Sequence, residues 1–210
     1  MKVLALSSPK GGVGKATSSL YFATRLAEAL GGTREQPVVG LVDRDENRNL
    51  SLLLKAEPEL LRPGVALLDG VPPGRAAGNL RVVIVDTPPG HTAIKALREA
   101  QLIVVPVIPS GQSVLALGEY LRNLEHHRVV GHAGLRLLAL LPTMVRNTTA
   151  HRQRLADLRA IAVAQRPPLL VLPSIPQRTR IEEHDLDAPE YHVPAEEVLT
   201  HAQIEAPLAR

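Results

Sequence analysis

The sequence predicts an α/β fold with a mainly parallel sheet flanked by helices. Three observations carry that expectation. Aliphatic runs of strand length recur along the 210 residues, amphipathic helical patterns lie between several of them, and the apolar 45% contains only 2% aromatics. Strands buried on both faces of a parallel sheet read as continuous Val, Ile and Leu runs. Strand–helix–strand alternation supplies the crossovers that parallel pairing needs.

The strand-like runs fall at residues 3–6, 38–42, 82–85, 102–107, 135–141 and 169–172, with a shorter one at 65–68. Residues 17–30 place Leu20, Ala23, Leu26, Ala27 and Leu30 on one helical face, and Gly31-Gly32 ends the pattern. Residues 113–127 repeat it with Val114, Leu117, Tyr120, Leu121 and Leu124. Residues 148–165 do so with Leu155, Leu158 and Ala162. The Pro- and Gly-rich stretch 56–78 reads as loops around the short strand. No repeat or long linker divides the chain, so a single domain over 1–210 is expected.

Composition removes several function classes. The absence of cysteine excludes disulfides, iron–sulfur clusters and thiolate zinc sites. No apolar run approaches the ~18 residues of a membrane helix. The apolar run near Met1 is too short for a signal core and reads as a first buried strand, so a cytoplasmic protein is expected. The net charge of +3 is mild and decides nothing alone.

In parallel sheets ligands bind beyond the carboxyl ends of the strands, so the residues just after each strand matter most. After the first comes "SPKGGVGKAT", residues 8–17. Its glycines let backbone N–H groups turn onto an anion, and the next helix points its positive end the same way. Lys15 would reach the β- and γ-phosphates. After the second strand comes "VDRDEN", whose Asp43 and Asp45 leave the strand on the same side; the alternative is a pair of acids capping the next helix. After the strand at 82–85 comes "DTPPG", where Asp86 is either a magnesium-shell acid or a turn initiator.

Taken in order, "PKGGVGK", "VDRD", "VVIVDTPPG" and "AQLIVVPVIPS" resemble the ParA family of partition ATPases, P-loop proteins with a deviant Walker-A loop. The resemblance runs from Met1 to about Glu183, and the length is similar to the small members without an N-terminal helix-turn-helix. It implies ATP/ADP and Mg as cofactors, bound by Lys10, Gly11, Gly12, Val13, Gly14, Lys15, Ala16 and Thr17. It implies that Lys10 crosses an ATP-dependent homodimer to the partner's nucleotide, with Thr17 near the α-phosphate. Asp45 matches the acid that positions the attacking water, and Asp43 and Asp86 match the magnesium shell. The loop holding Pro173, Ile175, Pro176 and Gln177 matches a segment near the adenine.

Two positions depart from the pattern. Ala16 stands where a Ser or Thr ligates magnesium, and a methyl cannot coordinate a hard cation. Water can replace that ligand, so ATP binding with slow turnover is expected. The family's Asp-Pro-Gln is here Asp45-Glu46-Asn47.

Between Arg146 and Arg180 lie Arg146, Arg152, Arg154, Arg159, Arg166, Arg178 and Arg180 against one acid, Asp157. The family binds non-specific double-stranded DNA through basic residues in this half, and Arg146, Arg152, Arg154, Arg159, Arg178 and Arg180 are the candidates; the alternative is a solvated face. The resemblance further implies a DNA-site-binding partition adaptor and a nucleoid-associated protein. The tail "PAEEVLTHAQIEAPLAR" carries three Glu and one Arg, which argues against attachment to a membrane. Two alternatives stand: a non-hydrolysing nucleotide-bound dimeric adaptor, and a cell-division-site positioning ATPase of the same branch.

Overall fold

A computed structural model describes residues 1–204; the last six residues of the acidic tail lie outside them. Seven strands form one sheet: β1 (Lys2–Leu6), β2 (Val39–Asp43), β3 (Val65–Leu68), β4 (Val82–Asp86), β5 (Leu102–Val107), β6 (Arg136–Pro142) and β7 (Leu170–Val171). Their order is β3-β2-β4-β1-β5-β6-β7, and every pair is parallel. All seven match the aliphatic runs within one or two residues at each end.

The period of two along each strand divides the core. One face carries Leu4, Leu6, Leu41, Ile84, Val104 and Leu141 against helices α1 (Lys15–Ala29), α2 (Asn49–Ala56) and α7 (His192–Ala202). The other carries Val3, Ala5, Val83, Val85, Ile103 and Val105 against α3 (Ala93–Leu97), α4 (Gly111–Gly131) and α5 (Thr149–Ala164). α4 and α5 start on side-chain caps: Ser110 accepts from the Ser113 N–H and Thr148 from that of His151, both at 3.2 Å.

Helix α1 is buried nearly all round because the C-terminal segment closes over it. Tyr191 stacks on Tyr21 at 4.5 Å and meets Phe22 edge-on at 5.8 Å. Tyr21 donates its hydroxyl to the Asp185 carbonyl at 2.8 Å, and the buried Arg25 guanidinium caps the carbonyls of Leu186 and Ala188. Burial pushes the Tyr21 hydroxyl up to about 12, with Asp185 adding to the effect.

Sequence patterns give no account of residues 186–204. They hold a short turn and α7, which completes the first face of the core. Nor do the patterns reveal α2, α3 or the single turn α6 (Thr179–Glu182), whose four to eight residues are too few for a helical period to register. The acidic stretch at 182–185 is therefore the end of α6 and the turn after it.

The register fixes the functional edge. Asp43 and Leu6 both lie opposite Asp86, so the carboxyl ends of β1, β2 and β4 finish level. The chain leaves β1 toward β2 and later returns to β5 on the other side, which makes this edge the topological switch point.

Candidate functional site at the carboxyl edge of the sheet

Residues 7–14 link β1 to α1, and neighbouring segments hold the end of β1 at one point and that loop at three. Thr87 Oγ1 donates to the Leu6 carbonyl at 2.9 Å, and the Gly90 N–H donates to the Ser8 carbonyl at 3.0 Å. Ser7 Oγ shares a 2.5 Å hydrogen bond with the Tyr120 hydroxyl on α4. Thr143, just past β6, donates its hydroxyl to the Val13 carbonyl at 2.9 Å. Val13 is buried, so it anchors the loop through its side chain. Gly12 and Gly14 take left-handed φ values of 70° and 80°, which L side chains rarely adopt. Such a fold aims successive N–H groups into one concavity, and α1 begins at the next residue.

A cavity of about 410 Å³ opens above this loop, between Lys15, Ala16, Asp45, Asp86 and Met144. Lys15 is buried at its base. Asp86 is also buried, and Ser19 Oγ donates to its Oδ1 at 3.3 Å. Burial pushes its carboxyl up to about 7; Lys15 opposes the rise, and the negative charges of Asp43 and Asp45 add to it. Asp86 is therefore a carboxylate that a cation entering the cavity would ionise.

Asp43 behaves differently. Its Oδ1 accepts the Asp45 N–H at 3.0 Å and its Oδ2 the Ser51 N–H at 2.8 Å. It is buried and does not line the cavity, so its carboxylate shapes the turn that presents Asp45 and caps the start of α2. Asp45 does line the cavity, with Oδ1 held by the Asn47 backbone and side-chain N–H groups at 3.0 and 3.2 Å. The cavity suits a polyphosphate, given Lys15 and the open glycine backbone. A magnesium ion on such a phosphate would meet Asp86 and Asp45, with water where Ala16 has no ligand. Among the described residues no group of three or more His, Asp or Glu is arranged to hold a metal alone.

Lys10 turns away from this cavity. Its Nζ donates to Gln112 Oε1 at the start of α4, at 3.3 Å. Met144 and Asn49 line the cavity although no sequence motif contains them, and Asn47 and Pro89 do so from within the stretches after β2 and β4, where the sequence singled out only the acids.

Beyond Gly14, Thr17 and Met144 lies a smaller space of about 40 Å³, walled by Ile175, Pro176, Gln177 and Tyr191. Pro173 is set back from it. The Val145 N–H donates to the Ile175 carbonyl and the Gln177 N–H to the Val145 carbonyl, both at 3.0 Å, so the loops after β6 and β7 are zipped together.

The arginines divide into groups. Arg154 pairs with Asp157 at 2.7 Å, and Arg180 pairs with Glu190. Arg146 donates Nε to Gln177 Oε1 at 2.7 Å. Arg152 bonds to Asn147 and Thr149 and has no acidic partner among the described residues. Arg152 and Arg159 are exposed and seven residues apart, two turns along one side of α5. Arg178 is exposed beside the smaller space. Among the described residues no helix is long and apolar enough to cross a membrane.

A strand–glycine loop–lysine–helix unit at the switch point, with a buried acid ending the neighbouring strand, defines a P-loop nucleotide-binding domain. The chain belongs to the CobQ/CobB/MinD/ParA nucleotide-binding-domain family, whose model matches residues 4–188. No curated protein sequence matches it significantly. Its fold is similar to that of a McdA variant from Cyanothece in complex with ATP (TM-score 0.77, 19% identity, covering 100% of this chain and 99% of that one). It is similar to cobyrinic acid a,c-diamide synthase from Mycobacterium smegmatis with bound ADP and magnesium (TM-score 0.73, 27% identity, 96% and 95% covered). It is also similar to the cell division protein MinD of Aquifex aeolicus (TM-score 0.73, 19% identity, 100% of both chains).

Proposed function

We propose that this protein is an ATP-driven partition switch. ATP with magnesium binds at the P-loop, two subunits associate, and the dimer holds double-stranded DNA without sequence preference. A DNA-site-binding adaptor stimulates hydrolysis and so releases it. Lys10, Lys15 and Asp45 carry the chemistry, as in the ParA proteins that the motifs resemble. Such a protein works in the cytoplasm, on the nucleoid.

The observation that carries this reading is the direction of Lys10. Its ammonium lies on the α4 surface, hydrogen-bonded to Gln112 and outside its own cavity. A lysine in the phosphate loop that leaves its own phosphates is free to meet those of a second subunit. Arg152, Arg159 and Arg178 supply exposed cations for phosphate contacts, whereas Arg154 and Arg180 already have acidic partners. The core fold serves a synthase as well as MinD, so these surface features, not the fold, support the switch.

DNA retention in ATP, in ADP and without nucleotide, at low and moderate salt, tests the reading. Retention should need ATP and should fall steeply with salt. Retention independent of nucleotide would refute it. Lys10→Ala should abolish ATP-dependent dimerisation in sedimentation while the monomer still binds nucleotide. Ala16 favours a second reading, a non-hydrolysing dimeric adaptor, which turnover stimulated by DNA and adaptor would exclude.

A further inference from the structure

A second cavity of about 410 Å³ opens at the amino edge of the sheet, opposite the phosphate loop. It lies between the second half of α4, the start of β6 and the turn from α5 to β7. Its floor is apolar: Ile103, Leu121, Leu124 and Leu135 line it and are otherwise buried. Its rim is cationic. Arg128 and Glu125 bond each other twice, at 2.8 and 2.6 Å, so their charges cancel. Arg136 and Arg166, on the same rim, meet no carboxylate among the described residues. Carbonyls hold them instead. Arg136 Nη2 donates to the His201 carbonyl at 2.6 Å, and Arg166 Nη1 to those of Val163 and Gln165 at 3.2 and 3.0 Å. Each guanidinium is thus steadied at one nitrogen and keeps the rest of its donors for a ligand.

We propose that this cavity is a ligand site separate from the nucleotide site, and that it takes an amphipathic carboxylate, an acyl chain with one anionic head. Its walls carry both halves of that chemistry. A guanidinium matches a carboxylate with parallel N–H donors, and two guanidiniums without acidic partners leave a surplus of positive charge. An inorganic anion would satisfy the arginines but leave the leucine floor wet. A neutral hydrocarbon would cover the floor but leave the arginines without an anion. The volume lies within the ~300–1,000 Å³ of small-molecule sites, and at ~30 Å³ per water-sized group it holds roughly a dozen non-hydrogen atoms. Those are the dimensions of a medium-chain acid. The cavity uses no residue of the phosphate loop, so this site stands whether or not a nucleotide binds.

Calorimetric titration of the full chain at neutral pH, without nucleotide, compares octanoate with octanol and acetate, which carry the tail and the head separately. Octanoate should bind saturably and ~10-fold or more tightly than either fragment, as charged hydrogen bonds added to apolar burial provide. The double variant Arg136→Gln, Arg166→Gln should lose ~10-fold or more of the octanoate affinity and bind octanol as the wild type does. Both side chains are exposed, so these changes spare the core. Saturating ATP with magnesium should leave octanoate binding in place. Octanoate that binds without saturation, no better than octanol, or equally well to the double variant overturns the site. So does displacement by ATP, which would put the carboxylate on the phosphate loop.

Discussion

The cavity above the phosphate loop and the smaller space beside it are built by different means. The floor of the first comes from one continuous stretch, 7–17, rich in glycine backbone and with Val13 and Lys15 buried, while Asp45, Asp86 and Met144 stand around it. The smaller space is walled by side chains of separate segments, after β6, after β7 and on α6, and its polar groups Gln177, Arg178 and Glu182 are exposed. A backbone cradle grips any nucleoside triphosphate equally, because phosphates are common to all. Side chains from distant segments can be exchanged without disturbing the cradle.

The largest effect that would break this division comes from Lys15→Ala. Removing the buried ammonium should weaken ATP and GTP binding equally, by ~3 kcal/mol each, since a charged hydrogen bond to phosphate is lost. Calorimetric titration with both nucleotides checks it, and an unequal loss would mean that the two spaces are not separable.

Next in size is the buried acid. Burial raises the folded carboxyl of Asp86 from an ordinary 3.8 to about 7, so the ligand-free fold prefers it protonated. Its contribution to stability is present below 3.8 and is lost as pH rises to about 7. Asp86→Asn should stabilise the ligand-free protein by roughly 2 kcal/mol at pH 8 and hardly at all near pH 4. Denaturant titrations at the two pH values read this directly.

Ala16→Thr restores a hydroxyl at the magnesium position. It should raise ATP turnover ~10-fold and lower the magnesium requirement. Steady-state phosphate release across magnesium concentrations measures it; an unchanged rate would mean that water already serves as well as the hydroxyl.

The smallest effect lies where the two spaces meet. Thr143 is buried between them and donates to the Val13 carbonyl. Thr143→Val should cost about 1 kcal/mol of stability, seen as a lower denaturant midpoint, and should loosen phosphate binding slightly for both nucleotides.

Much of this is legible in the chain alone. The central strands β1, β2, β4, β5 and β6 show as aliphatic runs because both faces of a parallel sheet are buried there, and the edge strands β3 and β7 show as shorter ones. The loop with Gly12, Gly14 and Lys15 shows because the phosphate cradle is local, and a local geometry leaves a local pattern. Ala16 shows as the missing ligand for the same reason. Other features need the fold. Asp43 and Asp45 look equivalent two residues apart, yet packing turns one carboxylate onto backbone N–H groups and leaves the other facing the cavity. The arginines from 146 to 180 look like one basic patch, yet Asp157, Gln177 and Glu190 engage three of them. Tyr191 stacking on Tyr21 joins positions 170 residues apart, and Arg146 meets Gln177 across 31. Contacts between segments so far apart depend on which strands become neighbours, and only the assembled sheet decides that.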